Sequence, residues 1–323
     1  MNTFDQGDYP MSRPAGQTVP DSVSSRWTQR TLKSRIPCAG TGVHSGRRVR
    51  MAMLPAPAGH GIVFRRTDLG RDIKATYDNV IDTRLCTVIG DDTVRIGTIE
   101  HLLAALSGAG VDNLLIEIDG PEVPIMDGSA DPFSFLLECA GVVSLNTPRK
   151  VLQILRHVRV AEGHAWAELQ PFDDAAREVV PTLDLDVSIE FPDSAIGRQS
   201  STLRLNEKNF RDTIAPARTF AMARDIEYLW TQGFAKGGSL DNAIVVDGAK
   251  VLNPGGLRME NEFAAHKLLD AVGDLSMTGA ALHGRFAASR PGHKLNNKLL
   301  TQLFADRDNW SDITPDDVAA AAA

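Results

Sequence analysis

The chain has 323 residues, 43% of them hydrophobic and 23% charged, which is ordinary globular composition and enough for two domains with two cores. With 41 acidic and 34 basic residues the net charge is −7, which argues against a nucleic-acid coat or a polybasic membrane anchor and leaves room only for a local basic pocket. No run approaches the roughly 18 apolar residues of a transmembrane helix. Three scattered cysteines, Cys38, Cys86 and Cys139, give neither a disulfide framework nor a thiolate zinc knuckle and fit a reducing cytoplasm.

Residues 1–25 are rich in Pro, Ser, Gly and Asp, lack an apolar segment, and read as a disordered tail rather than a signal peptide. The stretch from Thr98 to Leu106 sets Ile99, Leu102, Leu103 and Leu106 at helical spacing. Leu114 to Ile118 alternates as a half-buried strand. Asp131 followed by Pro132 predicts an N-cap with proline in the first turn, and Gly141 closes that helix. Asn146-Thr147-Pro148 marks a domain boundary ahead of a new strand, VLQILRHVRV. LDLDVSIEF alternates cleanly, with Leu183, Leu185, Val187, Ile189 and Phe191 on one face. In AIVVDGAKVL, Asp247-Gly248 between two apolar runs is a hairpin signal.

A longer helix from Glu260 to about Met277 buries Ala265, Leu268, Leu269 and Val272. The last opens at His293, with Leu295, Leu299, Leu300 and Leu303 on its buried side. The fold class is α+β: two domains, each a mostly antiparallel sheet with helices. The expected division is a tail over 1–25, domains over 26–147 and 148–308, and a second tail over 309–323.

The most informative segment is HKLLDAVGD. His266, Asp270 and Asp274 lie four apart and form one ridge off the apolar stripe. Histidine and aspartate at that spacing can ligate one metal ion, although a solvated polar face is the commoner meaning of such a pattern. In TIEHLLAAL, His101 points away from the apolar stripe, beside Glu100. If His101 meets His266 and Asp270, two nitrogens and one carboxylate suit a catalytic zinc, and Glu100 stands where it can take a proton from water. His293 follows Pro291-Gly292 at a helix start, which disfavours its protonation unless a carboxylate such as Asp274 intervenes. The glycine-rich pieces GTGVHSG and KGGSLDN match no phosphate-binding spacing and read as turns.

Taken together, the chain resembles the zinc-dependent UDP-3-O-acyl-N-acetylglucosamine deacetylases of lipid A biosynthesis. The resemblance runs from about Arg30 to about Phe304. It rests on ten landmarks in order: GTGVHSG, RRTDL, RLCTVIG, TIEHLLAAL, PEVPIMDGSADPF, ARTF, RDIEYL, GGSLDNAIV, HKLLDAVGD and GHKLNNKLL. It implies two similar domains with helices packed between their two sheets and the active site at the interface. It further implies one catalytic zinc per chain on His101, His266 and Asp270, Glu100 as general base, and His293, partnered by Asp274, as acid or electrostatic stabiliser. Thr219 is implied to hold the oxyanion. Lys267, Phe220 and Arg290 are implied to contact substrate, and Cys86 to lie near the metal.

The reaction so implied is hydrolysis of the 2-acetamido group of a UDP-sugar carrying a 3-O-hydroxyacyl chain, giving the free amine and acetate. The substrate would be the chain's partner, with no nucleic acid, no transmembrane segment and a monomeric state. FAMARDIEYLWTQGF, with Phe220, Ile226, Leu229 and Trp230, is the candidate wall of an acyl channel, unless it is an ordinary core helix. Two rivals are a non-enzymatic nucleotide-sugar or acyl-chain binding module and a cyclohydrolase-like zinc enzyme acting on a free nucleotide. The first leaves the Glu-His, His-Asp-Asp and His set unexplained, and the second needs no apolar passage.

Overall fold

The computed structural model describes residues 27–172 and 180–314. The tail expected over residues 1–25 lies outside the described residues. The fold is α+β, with mostly antiparallel sheets and no barrel. A five-stranded sheet runs in the order Ile36–Thr41, Arg48–Pro55, Leu114–Ile118, Ile62–Arg66, Arg71–Lys74, with one parallel pair at Leu114–Ile118 and Ile62–Arg66. A seven-stranded sheet is built only from strands between Val151 and Ile313, centred on Ala281–Ser289. Two small three-stranded sheets contain Val88–Gly90 and Phe220–Met222.

The principal helices are α1 (Glu100–Gly108), α2 (Asp131–Ala140), α3 (Ala223–Thr231), α4 (Glu262–Leu275) and α5 (His293–Ala305). One apolar cluster runs from Met53, Phe64 and Ile116 of the first sheet through Leu102 and Leu106 of α1 and Leu268, Leu269 and Val272 of α4 to Leu185, Val187 and Phe286 of the second. Each such side chain contributes roughly 1.5–3 kcal/mol on burial. Helices α1 and α4 are therefore buried on nearly every face, unlike a surface helix with one apolar stripe. Their backbones touch: a Cβ added at Gly273 would sit 2.1 Å from the Glu100 carbonyl oxygen, so only glycine fits there.

Several expectations change. Helix α1 starts at Glu100 rather than Thr98, because Thr98 has φ +56°, strained backbone for a β-branched residue, steadied by its hydroxyl bond to Glu122. Asp131 is the first helical residue of α2, whose N-cap is Ala130, and its own amide donates to the Ser129 hydroxyl at 3.3 Å. The break at Asn146-Thr147-Pro148 is the end of a strand, Val142–Pro148, which pairs with Thr28–Leu32. The register shifts there and Asn146 has φ +50°, so the loop-like residues make a bulge. VLQILRHVRV is two strands, Val151–Ile154 and Val158–Glu162.

Trp310–Ile313 is not tail, as expected from 309 onward, but an edge strand antiparallel to Val151–Ile154. Residues 315–323 lie outside the described residues. The hairpin at Asp247-Gly248 forms, with Asp247 opposite Lys250. No helix among the described residues is long and apolar enough to cross a membrane.

Candidate active site and metal centre

Helix α4 brings His266, Asp270 and Asp274 onto one ridge, as the spacing predicts, but the ridge is buried, at 1%, 3% and 1% exposure. The solvated-face reading therefore fails. What covers the ridge is α1, which lays His101 against it. His101 Nε2 lies 3.6 Å and His266 Nε2 3.4 Å from Asp270 Oδ1. Among the described residues these three form the one group of histidine, cysteine and carboxylate side chains arranged to hold a metal ion, with ligand atoms within 4.8 Å of one another.

The donor chemistry fits an ion. His266 Nδ1 donates to the Ala217 carbonyl at 3.0 Å, which leaves Nε2 with its lone pair toward the cluster. Burial, with His101 and Lys267 adding to it, pushes the His266 pKa down to about 3 against the pull of Asp270, so the ring is neutral. Burial opposes the charge on Asp270, but the Lys267 ammonium at 2.8 Å outweighs it and holds the carboxyl well below the usual range. Asp270 Oδ2 accepts from Lys267 Nζ at 2.8 Å, while Oδ1, facing the two imidazoles, is buried without a hydrogen-bond partner. A neutral imidazole and an ionised carboxylate with an unspent oxygen are the states a divalent metal requires.

Beside this cluster stands the pair of acid/base candidates. Glu100, 3% exposed, has its pKa raised by burial, against the opposing pull of His293 and His101. His293 is the first residue of α5; its Nδ1 meets Asp274 Oδ2 at 2.9 Å and its Nε2 faces Glu100 Oε1 at 3.7 Å. Burial lowers the His293 pKa, but Asp274 and Glu100 overcome that and hold it up at about 10. The ring is thus cationic at neutral pH, despite the helix start.

These groups open onto a cavity of about 740 Å³. Glu100, His101, His266, Lys267, Asp270, His293, Thr219 and Phe220 line one part, and Ile226, Leu229, Trp230, Leu240 and Val245 another. Helix α3 buries none of its residues, and Trp230 is 57% exposed, so it walls the cavity and is no core helix. Lys267 Nζ also lies over the Phe220 ring, 5.5 Å from its centre. Arg290 is not brought in: it pairs with Glu190 and does not line the cavity. Cys86 is buried against Gly97, with its thiol pushed up by burial and by Glu100.

Some residues escaped the sequence reading. Thr87 and Asn296 both donate to Asp274, and Asn296 lies one helical turn from His293, a spacing that offered a clue. Glu262, fully buried, pairs with Arg218 at 2.8 Å and so ties the segment bearing Ala217 and Thr219 to the helix bearing His266. His44 also lines the cavity. The amides of His44 and Ser45 are spent on the Glu122 carboxylate at 2.9 Å each, so GTGVHSG is no phosphate cradle in this arrangement.

Two sheets and the helices packed against them carry a buried His-His-Asp group able to hold a metal ion, flanked by a glutamate and a charged histidine over a mostly apolar cavity of small-molecule size, the site plan of a metal-dependent enzyme. Comparison with known proteins makes this specific. The family model described as UDP-3-O-acyl N-acetylglycosamine deacetylase matches residues 29–305, and the chain belongs to that family. It is 46% identical over 297 residues to the UDP-3-O-acyl-N-acetylglucosamine deacetylase of Photobacterium profundum, covering 90% of this chain and 95% of that one. The protein of the same name from Haemophilus ducreyi is 46% identical over 298 residues, 91% and 95% of the two chains. That from Vibrio campbellii is 47% identical over 287 residues, 87% and 92%.

Proposed function

We propose that this chain is a zinc metalloamidase that hydrolyses the 2-acetamido group of UDP-3-O-(3-hydroxyacyl)-N-acetylglucosamine, giving the free amine and acetate, the committed step of lipid A biosynthesis. The observation that carries the reading is the unspent Asp270 Oδ1 between two imidazoles, with Glu100 and His293 on the same cavity. His101, His266 and Asp270 would hold one zinc ion, which when bound supplies Lewis-acid polarisation and a more acidic water.

The chain's own groups do the rest. Glu100 takes a proton from the water that attacks the amide carbon; its raised pKa makes it a better base than an exposed carboxylate. The oxyanion is met by the Thr219 hydroxyl and by cationic His293, whose Nδ1–H is anchored on Asp274. The carbon–nitrogen bond then breaks, the amine leaves with a proton from His293 or from protonated Glu100, and acetate remains. Phe220 and Lys267 contact the substrate, and Ile226, Leu229 and Trp230 receive the acyl chain. Arg290 would reach the diphosphate only by leaving Glu190.

The same reading gives a cytoplasmic monomer whose partner is this substrate and not nucleic acid. Its two domains divide after the strand ending at Pro148, with Trp310–Ile313 belonging to the second. The test is acetate release from the acylated UDP-sugar before and after metal removal and zinc readdition. Loss and recovery are expected. Turnover undiminished by complete metal removal would refute the zinc, and no acetate from fully zinc-loaded protein would refute the reaction. Equal turnover of free nucleotides would favour a cyclohydrolase.

A further inference from the structure

Thr87 lies in the loop before strand Val88–Gly90, is 1% exposed, and touches both candidate catalytic carboxylates. Its backbone N–H donates to Glu100 Oε2 at 3.1 Å, and its hydroxyl donates to Asp274 Oδ1 at 2.6 Å. The second bond is in the short range of a hydroxyl donating to an ionised carboxylate. The remaining oxygens of the two carboxylates both face His293: Glu100 Oε1 at 3.7 Å from Nε2, and Asp274 Oδ2 at 2.9 Å from Nδ1. Three hydrogen bonds run from Glu100 through Thr87 and Asp274 to His293, and a 3.7 Å ion-pair contact leads from His293 back to Glu100. Three of these four residues sit on helices α1, α4 and α5, and only Thr87 lies outside a helix.

We propose that Thr87 is a positioning residue that fixes Glu100 and the Asp274–His293 pair relative to one another. A carboxylate held by one oxygen can turn about its terminal torsion, which is broad and shallow. Asp274 is hydrogen-bonded at both oxygens by groups from different elements and cannot; Glu100 is bonded at Oε2 and kept by the His293 charge, 3.7 Å away, at Oε1. The Thr87 hydroxyl stops Asp274 from rotating its Oδ2 away from His293, and the Thr87 amide does the same for Glu100 Oε1. Asn296 Nδ2 supports the same Asp274 oxygen that His293 uses, at 2.9 Å, but does not reach Glu100. Thr87 is thus the group that couples the two sides. This inference rests on the roles proposed for Glu100 and His293, so its test includes a measurement that needs no turnover.

Thr87→Val keeps the side-chain shape and the backbone N–H but removes the hydroxyl, and Thr87→Ser keeps the hydroxyl. Losing a hydrogen bond to a charged group predicts a fall in kcat of roughly ten- to a hundredfold for Thr87→Val, with KM within about twofold and bound metal unchanged. Thr87→Ser should recover most of kcat. In a His293→Ala background, Thr87→Val should cost much less, because the group it positions is gone. Independently of activity, the proton NMR signal of His293 Nδ1–H, assigned by its absence in His293→Ala, should shift or exchange faster in Thr87→Val and stay in place in Thr87→Ser.

Wild-type kcat with an unmoved proton signal in Thr87→Val would overturn the proposal. So would a Thr87→Ser variant as impaired as Thr87→Val, since packing of the methyl group would then be at stake. Should wild-type protein release no acetate, the functional reading fails, while the proton signal still decides whether Thr87 holds the pair.

Discussion

Two cavities flank the helices α1 and α4, and they differ in what their polar groups are doing. The one holding Glu100 and His266 measures about 740 Å³; the other, lined by Leu103 and Leu106 of α1 and Val272 and Leu275 of α4, about 590 Å³. Both have the size of a small-molecule pocket. In the second, the half-buried charges of Asp112, Arg149 and Arg30 are answered within the protein: Asp112 accepts from Arg149 Nε at 2.7 Å and from the Arg30 backbone at 2.9 Å, and Arg30 Nη1 donates to the Ala109 carbonyl at 2.8 Å. In the first, His101 Nδ1, Asp270 Oδ1 and His44 Nδ1 are buried without a hydrogen-bond partner. Buried polar atoms are nearly always paired, so three unspent ones on one cavity, more than concavity, mark a place able to take a ligand.

The largest effect should come from removing that capacity. His266→Ala or Asp270→Ala takes away a proposed ligand, and metal affinity should fall by more than the roughly 10–100-fold typical of changes one layer out. The protein should purify metal-poor and nearly inactive, as read by elemental analysis and acetate release. Normal metal content with normal turnover would erase the distinction between the cavities. Next, Glu100→Ala and His293→Ala should keep their metal while kcat falls on the order of 10²–10⁴-fold. Their combination should cost less than the product, since the proposed mechanism has both act in one transition state. Metal loss in Glu100→Ala would recast that residue as a ligand.

A smaller effect tests the charge on His293. Its pKa rises from 6.5 to about 10 in the folded chain, so the protonated form is favoured by folding. The corresponding stabilisation is complete below pH 6.5 and is lost as pH climbs through about 10. Activity that needs the cation should fall over the same window. Asp274→Asn removes the nearer carboxylate, so the basic limb of the pH–rate profile should move to lower pH. An unmoved limb would show that another group controls it.

Which residues gather at this site was more legible in the sequence than their setting. The ridge His266, Asp270, Asp274 follows from helical spacing alone, as does its separation from Leu268 and Leu269. Its burial does not, because the covering groups come from α1, and the contact at Gly273 and Glu100 joins residues distant in the chain. Thr87 reaches Asp274 across 187 positions, a relation no local pattern encodes. Pairing adds structure that local signals do not carry: Asn146-Thr147-Pro148, read as a domain boundary, ends a strand that Thr28–Leu32 holds as a bulged partner. Trp310 and Ile313, beside an Ala-rich end, look like tail until Val151–Ile154 supplies an open edge.

The smallest effect should come from the second cavity. Arg149 and Asp112 are each 17% exposed, so their ion pair is partly buried, and Arg149→Ala leaves Asp112 with the Arg30 backbone as donor. An exposed pair would be worth about 0–1 kcal/mol and a fully buried broken one about 3–5, so this one should cost roughly 1–2 kcal/mol of stability, measured by urea unfolding. Because every group involved is satisfied within the protein, no ligand chemistry is lost. Metal content, kcat and KM should therefore stay at wild-type values at a temperature where the variant is folded. A drop in kcat without metal loss would mean that the second cavity acts on the first through α1 and α4, whose side chains line both. The closed contact of Gly273 with Glu100 would then be the first place to look, since a shift of α4 there moves the proposed base itself.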